Sequence, residues 1–154
     1  MVESGYKWRE VEVSTMFIGQ YRHNLDEKNR LIIPAKFRSM LGDNAVMTIG
    51  NDQCIAIYAQ SEWNKLQEKL LTYNSNSSDA RKQIRMIAGN ATEANCDSQG
   101  RVILPQNLLE HSDIIKEIVL VGNLNHIEIW AKEKWEKYYD FASKNFDETS
   151  EKLL

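Results

Sequence analysis

DEKNRLIIP (Asp26–Pro34) and DSQGRVILP (Asp97–Pro105) are one phrase written twice, 71 positions apart. Each runs Asp, three residues, Arg, three apolar residues, Pro. The correspondence continues downstream, where VMTIGNDQCIAIYAQSEW (Val46–Trp63) aligns with IVLVGNLNHIEIWAKEKW (Ile118–Trp135) at an offset of 72. Gly50-Asn51 matches Gly122-Asn123, Ile55 and Ile57 match Ile127 and Ile129, and Tyr58 and Trp63 match Trp130 and Trp135. Either match alone is weak. Two in the same order indicate an internal duplication.

The same elements follow in each copy. LIIP and VILP are short apolar runs opened by turn-forming residues, which predicts buried strands. The preceding pieces, Phe17–Leu25 and Ala91–Cys96, are expected to be their hairpin partners. Pro34 and Pro105 suit the first turn of a helix, where the missing N–H costs nothing, so short helices are expected over Ala35–Leu41 and Gln106–Glu110. Two apolar strands around a Gly-Asn turn come next, with positive φ expected at the Gly-Asn pairs. A helix closes each copy. Ser61 is a candidate cap for the first, and Trp135, Tyr138, Tyr139 and Ala142 form a stripe on the second that reads as core or subunit contact.

An α+β fold is therefore expected, built from two tandem halves with short flanking helices. Residues 1–15 match neither copy and read as an extension outside the fold, with Met16 as the natural start. The first half spans residues 16–72, a linker and basic helix 73–90, the second half 91–147 and a tail 148–154. In the linker region Asp79 could cap a helix with Ile84, Ile87 and Ala88 facing inward. A half of this size is marginal alone, and short open-edged strands make it worse. The economical solution is interleaving, each half completing the other's sheet around a pseudo-two-fold axis.

Composition narrows the function classes. The chain is 42% hydrophobic and 27% charged, ordinary for a folded soluble protein, and its net charge of −3 is not that of a bulk polycation. No apolar run reaches the ~18 residues that suggest a membrane span. Cys54 and Cys96 form no CxxC unit and read as packing thiols in a reducing cytoplasm. No HExxH, P-loop or GxSxG occurs, and His23, His111 and His126 share no ligand spacing with the cysteines. Neither an enzyme, nor a metal site, nor a cofactor is expected.

MFIGQYRHNLDEKNRLIIPAKFR from Met16, the second DSQGRVILP and the two GN…(Y/W)…W blocks resemble the MraZ family of the SpoVT/AbrB-like superfamily. The resemblance covers nearly all of residues 16–141. It implies two AbrB-like swapped-hairpin halves in one chain, a ring-shaped homo-oligomer, and bacterial transcriptional regulation. It further implies binding to short direct repeats in double-stranded promoter DNA of the division and cell-wall gene cluster, with a cytoplasmic, nucleoid-associated location. Asn29 stands where many relatives carry Gly, and both tolerate a left-handed turn.

Residues shared by the copies should serve the shared fold, so Asp26/Arg30 and Asp97/Arg101 read first as a carboxylate and a guanidinium pinning each hairpin, in a pair that could be bidentate. The differences carry the functional signal. Between Arg22 and Arg38 the first copy has Arg22, Lys28, Arg30, Lys36 and Arg38 against Asp26 and Glu27, a local balance of +3 in a chain of −3. The second copy has Glu93, Gln99, Arg101, Asn107 and Leu109 at those five positions. One basic copy of a duplicated scaffold suggests one DNA-facing surface per subunit. Lys28 and Arg30 would reach into a groove, and Arg22, Lys36 and Arg38 would grip phosphates. The basic helix face Arg81, Lys82 and Arg85 is a second candidate surface, read first as solvated or as a subunit contact. A ring-forming protein scaffold without specific DNA binding is the rival reading, since the tryptophan-bearing helices would suit it. An AbrB-like antitoxin is a weaker relative of the main reading.

Overall fold

The computed structural model describes residues 16–154, and the expectation for residues 1–15 lies outside them. The first copy contributes β1 (Gln20–Asn24), β2 (Arg30–Ile32), α1 (Ala35–Leu41), β3 (Val46–Ile49), β4 (Ile55–Tyr58) and α2 (Gln60–Leu71). Helix α3 (Ser78–Gly89) connects the copies. The second copy supplies β5 (Thr92–Glu93), β6 (Arg101–Ile103), α4 (Gln106–Ser112), β7 (Glu117–Gly122), β8 (Ile127–Ala131), α5 (Lys132–Lys144) and α6 (Phe146–Leu153).

The halves interleave. An antiparallel six-stranded sheet has the order β1-β7-β8-β4-β3-β5, so the outermost strand of each half pairs with the hairpin of the other. A separate two-stranded ribbon joins β2 to β6. Equivalent residues face each other at both crossing points: Ala56 opposite Glu128 in the sheet, and Leu31 opposite Val102 in the ribbon. Both pairs lie on the pseudo-two-fold axis. The expected hairpin between β1 and β2 is absent, because β1 finds its ladder on β7 (Gln20↔Val121 to Asn24↔Glu117) and β2 on β6. Local pattern marks a strand but not its partner, and here the outermost strand of each half is paired by the other copy.

The main core fills the space between one face of the sheet and the layer made by the ribbon, α1 and α4. Phe37 and Leu41 of α1 lie one turn apart and are buried there, beside Leu31, Ile33, Val102 and Leu104 of the ribbon segments. The outer face of the sheet carries a smaller cluster of Cys54, Val119, Trp130 and Trp135, covered by α5. Val119 belongs to this cluster and its neighbours Ile118 and Leu120 to the main core, the alternation of a strand covered on both faces. LIIP and VILP are not buried throughout. Ile32 is 51% and Ile103 64% exposed, because a ribbon seated on the core by one face turns every second residue outward.

Several local expectations shift by a residue or change cause. Pro34 and Pro105 are N-caps rather than first-turn residues. Helix α2 is entered through Ala59, with no side-chain cap from Ser61, and α3 is capped by Ser77, whose hydroxyl accepts from Ala80 N at 3.2 Å. Ala88 is exposed and so is Cys96, while Trp135 is buried and Tyr138 and Tyr139 are half exposed. In the β3–β4 and β7–β8 turns the positive φ falls on Asp52, Gln53 and Leu124 instead of the Gly-Asn pairs. The two glycines are required for close approach. A Cβ on Gly50 would meet Cys54 Sγ at 2.6 Å, and one on Gly122 would collide with the main chain of Phe17 and Ile18.

Candidate nucleic-acid interface

Each Asp-x-x-x-Arg phrase folds into the same turn. Asp26 Oδ1 accepts from the amides of Lys28 and Arg30, both at 2.9 Å, and Oδ2 accepts from Arg30 Nε at 2.7 Å. Asp97 repeats this with Gln99 N, Arg101 N and Arg101 Nε, all at 2.9 Å. One carboxylate thus closes the main-chain turn and aims the arginine. The donated bonds, led by the Arg30 amide, hold the Asp26 carboxyl below its ordinary value of 3.8, and the Arg101 amide leads the same effect at Asp97. Both carboxylates are therefore ionised at neutral pH. The left-handed residue that closes each turn is Asn29 (φ 56) in one copy and Gly100 (φ 79) in the other.

Among the described residues only Nε of each guanidinium is engaged, so each pair is single-pronged rather than bidentate. Among the described residues no hydrogen bond takes up the Nη groups of Arg30 or Arg101, so each arginine is anchored at its elbow with its fork free. The ribbon brings the two arginines together on its outer face. Arg30 lies across from Ile103 and Arg101 across from Ile32, and both arginines line one cleft of about 440 Å³. The sequence by itself reads Arg101 as a pin for its own hairpin and gives Ile32 and Ile103 no role beyond the buried strand. Alternation within three residues was the available signal, but it shows only once one face of the ribbon is known to be buried.

The five basic residues of the first copy do not form a single patch. Lys28 sits exposed at the turn tip beside Arg30, and Lys36 is exposed on the first turn of α1. Arg22 points elsewhere. Its neighbour Tyr21 packs edge-on against Phe37 in the main core at 5.2 Å, so Arg22 projects from the opposite face, where Nη1 lies 3.4 Å from Glu136 of α5. Arg38 leans on the second copy: a Cβ at Gly100 would lie 2.8 Å from its Nε and 2.5 Å from its Cζ. That Nε is buried and has no hydrogen-bond partner among the described residues. Leu109, the counterpart of Arg38, is buried, so this exchange replaces an apolar contact by a guanidinium laid over a glycine turn. Arg81, Lys82 and Arg85 are exposed on α3, a helix with no fully buried residue.

Chemical alternatives are few. Among the described residues no group of three His, Cys, Asp or Glu side chains is placed to hold a metal ion. Glu128, beside the axis, is an enclosed carboxylate with a network of its own. Burial opposes its ionisation, but bonds from His126, Trp130 and Asn123 outweigh that and lower its pKa. These three donors lie in β8 and the turn before it, and the buried Cys54 thiol stands beside the carboxylate, so the network braces the outer face of the sheet.

Two swapped β halves in one chain, with an arginine-bearing ribbon across their pseudo-axis, define a duplicated AbrB-type fold. The family model described as "MraZ protein, putative antitoxin-like" matches the chain twice, at residues 16–86 and 87–154. Proteins named Transcriptional regulator MraZ are similar over most of their length. That of Halothermothrix orenii is 45% identical over 133 residues, 86% of this chain and 93% of the relative. That of Clostridium tetani is 45% identical over 138 residues, 90% of this chain and 96% of the relative. That of Ligilactobacillus salivarius is 45% identical over 139 residues, covering 90% and 97%. The chain belongs to the MraZ family.

Proposed function

We propose that this chain is a DNA-binding transcriptional regulator that meets double-stranded DNA with the outer face of the β2–β6 ribbon and the Asp26–Arg30 turn. The observation that carries the reading is the pair of elbow-anchored arginines with free forks on one rigid ribbon. A two-stranded ribbon fits the major groove, and an arginine fork matches guanine O6 and N7. Anchoring at Nε reduces the side-chain entropy lost on contact. The regulator name borne by the similar proteins supports the same reading.

Within this proposal Lys28 and Arg30 enter the groove. Lys36 takes a phosphate from the start of α1, and Arg38 acts from its seat against the second turn. Arg22 serves DNA that wraps past the ribbon, and gives up only an exposed pair with Glu136, worth under about 1 kcal/mol. The assembly is a homo-oligomeric ring whose subunits engage successive short direct repeats, so later contacts become intramolecular. Exposed Tyr139, Phe141 and Phe146 on α5 and α6 favour a protein contact there, which the ring would use. The target is promoter DNA of the division and cell-wall cluster, and the protein works in the cytoplasm at the nucleoid.

The test is fluorescence anisotropy with duplex DNA from upstream of the protein's own operon, against scrambled DNA and across salt. Native DNA is expected to win, with a log–log salt slope of roughly −0.9 per phosphate contacted. Lys28→Ala/Arg30→Ala should remove the preference at unchanged assembly mass. Equal binding of native and scrambled DNA by the wild type would leave the protein-scaffold reading in its place.

A further inference from the structure

Four of the nine positions in the doubled phrase are identical in the two copies: Asp26/Asp97, Arg30/Arg101, Ile32/Ile103 and Pro34/Pro105. Three have a role in the turn or the helix entry described above. The isoleucines have none. Their inward neighbours are buried, yet these have drifted between the copies, Leu31 to Val102 and Ile33 to Leu104. The fold thus tolerates exchange where packing is complete, while the chain keeps the same large apolar residue where it faces solvent in both halves. Single exposed apolar residues are common and need no explanation. A pair at equivalent positions of a duplicated ribbon, each beside an anchored arginine, does need one.

We infer that Ile32 and Ile103 are specificity-determining residues that seat against thymine 5-methyl groups in the major groove, between the base contacts of Arg30 and Arg101. This rests on the DNA-binding reading above. The outer face of the ribbon is a two-by-two checker of arginine and isoleucine, because Arg30 pairs with Ile103 and Ile32 with Arg101. Cross-strand neighbours stand about 5 Å apart, and i and i+2 on one strand about 6.7 Å, close to two base-pair steps of about 3.4 Å. An arginine fork finds a pair of adjacent acceptors only on guanine, and the thymine methyl is the one methyl group a major groove presents. The alternating face therefore selects sites in which guanine and thymine lie within a step or two of each other, on both sides of the ribbon's pseudo-axis. The patch is too small to hold a protein partner alone, and the flanking guanidinium forks would have to be desolvated against it.

The experiment uses the full chain and the upstream duplex in two forms, one with thymine and one with deoxyuridine at every thymine. Each removed methyl should cost the wild type about fourfold in Kd, the worth of one buried methyl-sized group, so two contacts give about sixteenfold. Ile32→Ala/Ile103→Ala should bind both duplexes alike, with assembly mass and melting temperature close to wild type, since both side chains are exposed. The inference is overturned if the wild type prefers native over scrambled DNA yet binds the two forms equally. It also falls if the double variant keeps the wild-type sensitivity, or if the variant changes assembly mass instead, which would make the patch a subunit contact. A wild type with no sequence preference overturns the underlying reading, and this inference with it.

Discussion

Gly122→Ala probes the interleaving itself. Gly122 ends β7 in the second half, and the segment crossing it belongs to the first half. A Cβ there would lie 2.6 Å from the Phe17 carbonyl carbon and 2.7 Å from Ile18 Cα, which are main-chain atoms that cannot rotate away. The segment is held by three main-chain bonds: Phe17 N to Leu124 O (2.7 Å), Leu124 N to Phe17 O (2.8 Å) and Gly122 N to Gly19 O (2.8 Å). It also delivers Phe17, 1% exposed and edge-on to Phe37 at 5.3 Å. Burying a phenylalanine contributes about 1.5–3 kcal/mol and each hydrogen bond nets about 1 kcal/mol, so full release would cost about 5 kcal/mol. A partial withdrawal, at about 3 kcal/mol, is expected to lower the melting temperature by about 6–12 °C in a chain of this size. Thermal unfolding at matched protein concentration measures it, because melting of an assembly depends on concentration. Gly89→Ala, where a Cβ meets nothing within 4 Å at the end of α3, is the control and should leave the melting temperature unchanged or slightly raised. If Gly122→Ala melts with the control, the first-half segment does not cross β7 as described.

Other outcomes follow from the same geometry. Asp26 and Asp97 have lowered pKa values in the folded chain, so their contribution is complete above the ordinary 3.8 and is lost as pH falls through the lower folded values. Asp26→Asn/Asp97→Asn should flatten the acid limb of a plot of melting temperature against pH below about 5; an unchanged limb would deny the turns their role in acid stability. Cys54 is fully buried, and burial helped by Glu128 and Asp52 pushes its thiol strongly up, whereas Cys96 is exposed. Native protein should therefore react with a maleimide at Cys96 alone, and at both thiols in denaturant, as mass spectrometry would read. Thr48 is buried and donates to Ile87 O at 2.7 Å, tying β3 to α3, a helix with no buried residue of its own. Thr48→Val should cost about 1–2 kcal/mol and speed amide exchange within α3; unchanged exchange there would mean that the helix is held by other contacts.

The chain alone determined that there are two copies, where most strands and helices fall, and that each Asp-x-x-x-Arg phrase holds a turn. These features are local: a carboxylate four residues from a guanidinium, a proline before a helix, an apolar run bounded by turn residues. Residue spacing is enough to state them. Interleaving was also within reach, because half a core of this size cannot bury its own edges.

Only the tertiary structure decided which strand pairs with which, and with it the surface. Because β2 lies against β6, Arg30 and Arg101 share one face, and Ile32 and Ile103 turn outward although their runs read as wholly apolar. Because β1 lies against β7 with Tyr21 inward, Arg22 is carried to the α5 side, away from the residues it neighbours in sequence. Arg38 finds Gly100 only because α1 of one half covers the turn of the other. A strand's residues report which of them face apart, but its partner is set by burial summed over the whole molecule. A basic cluster in sequence therefore becomes a surface only after the halves have closed on each other.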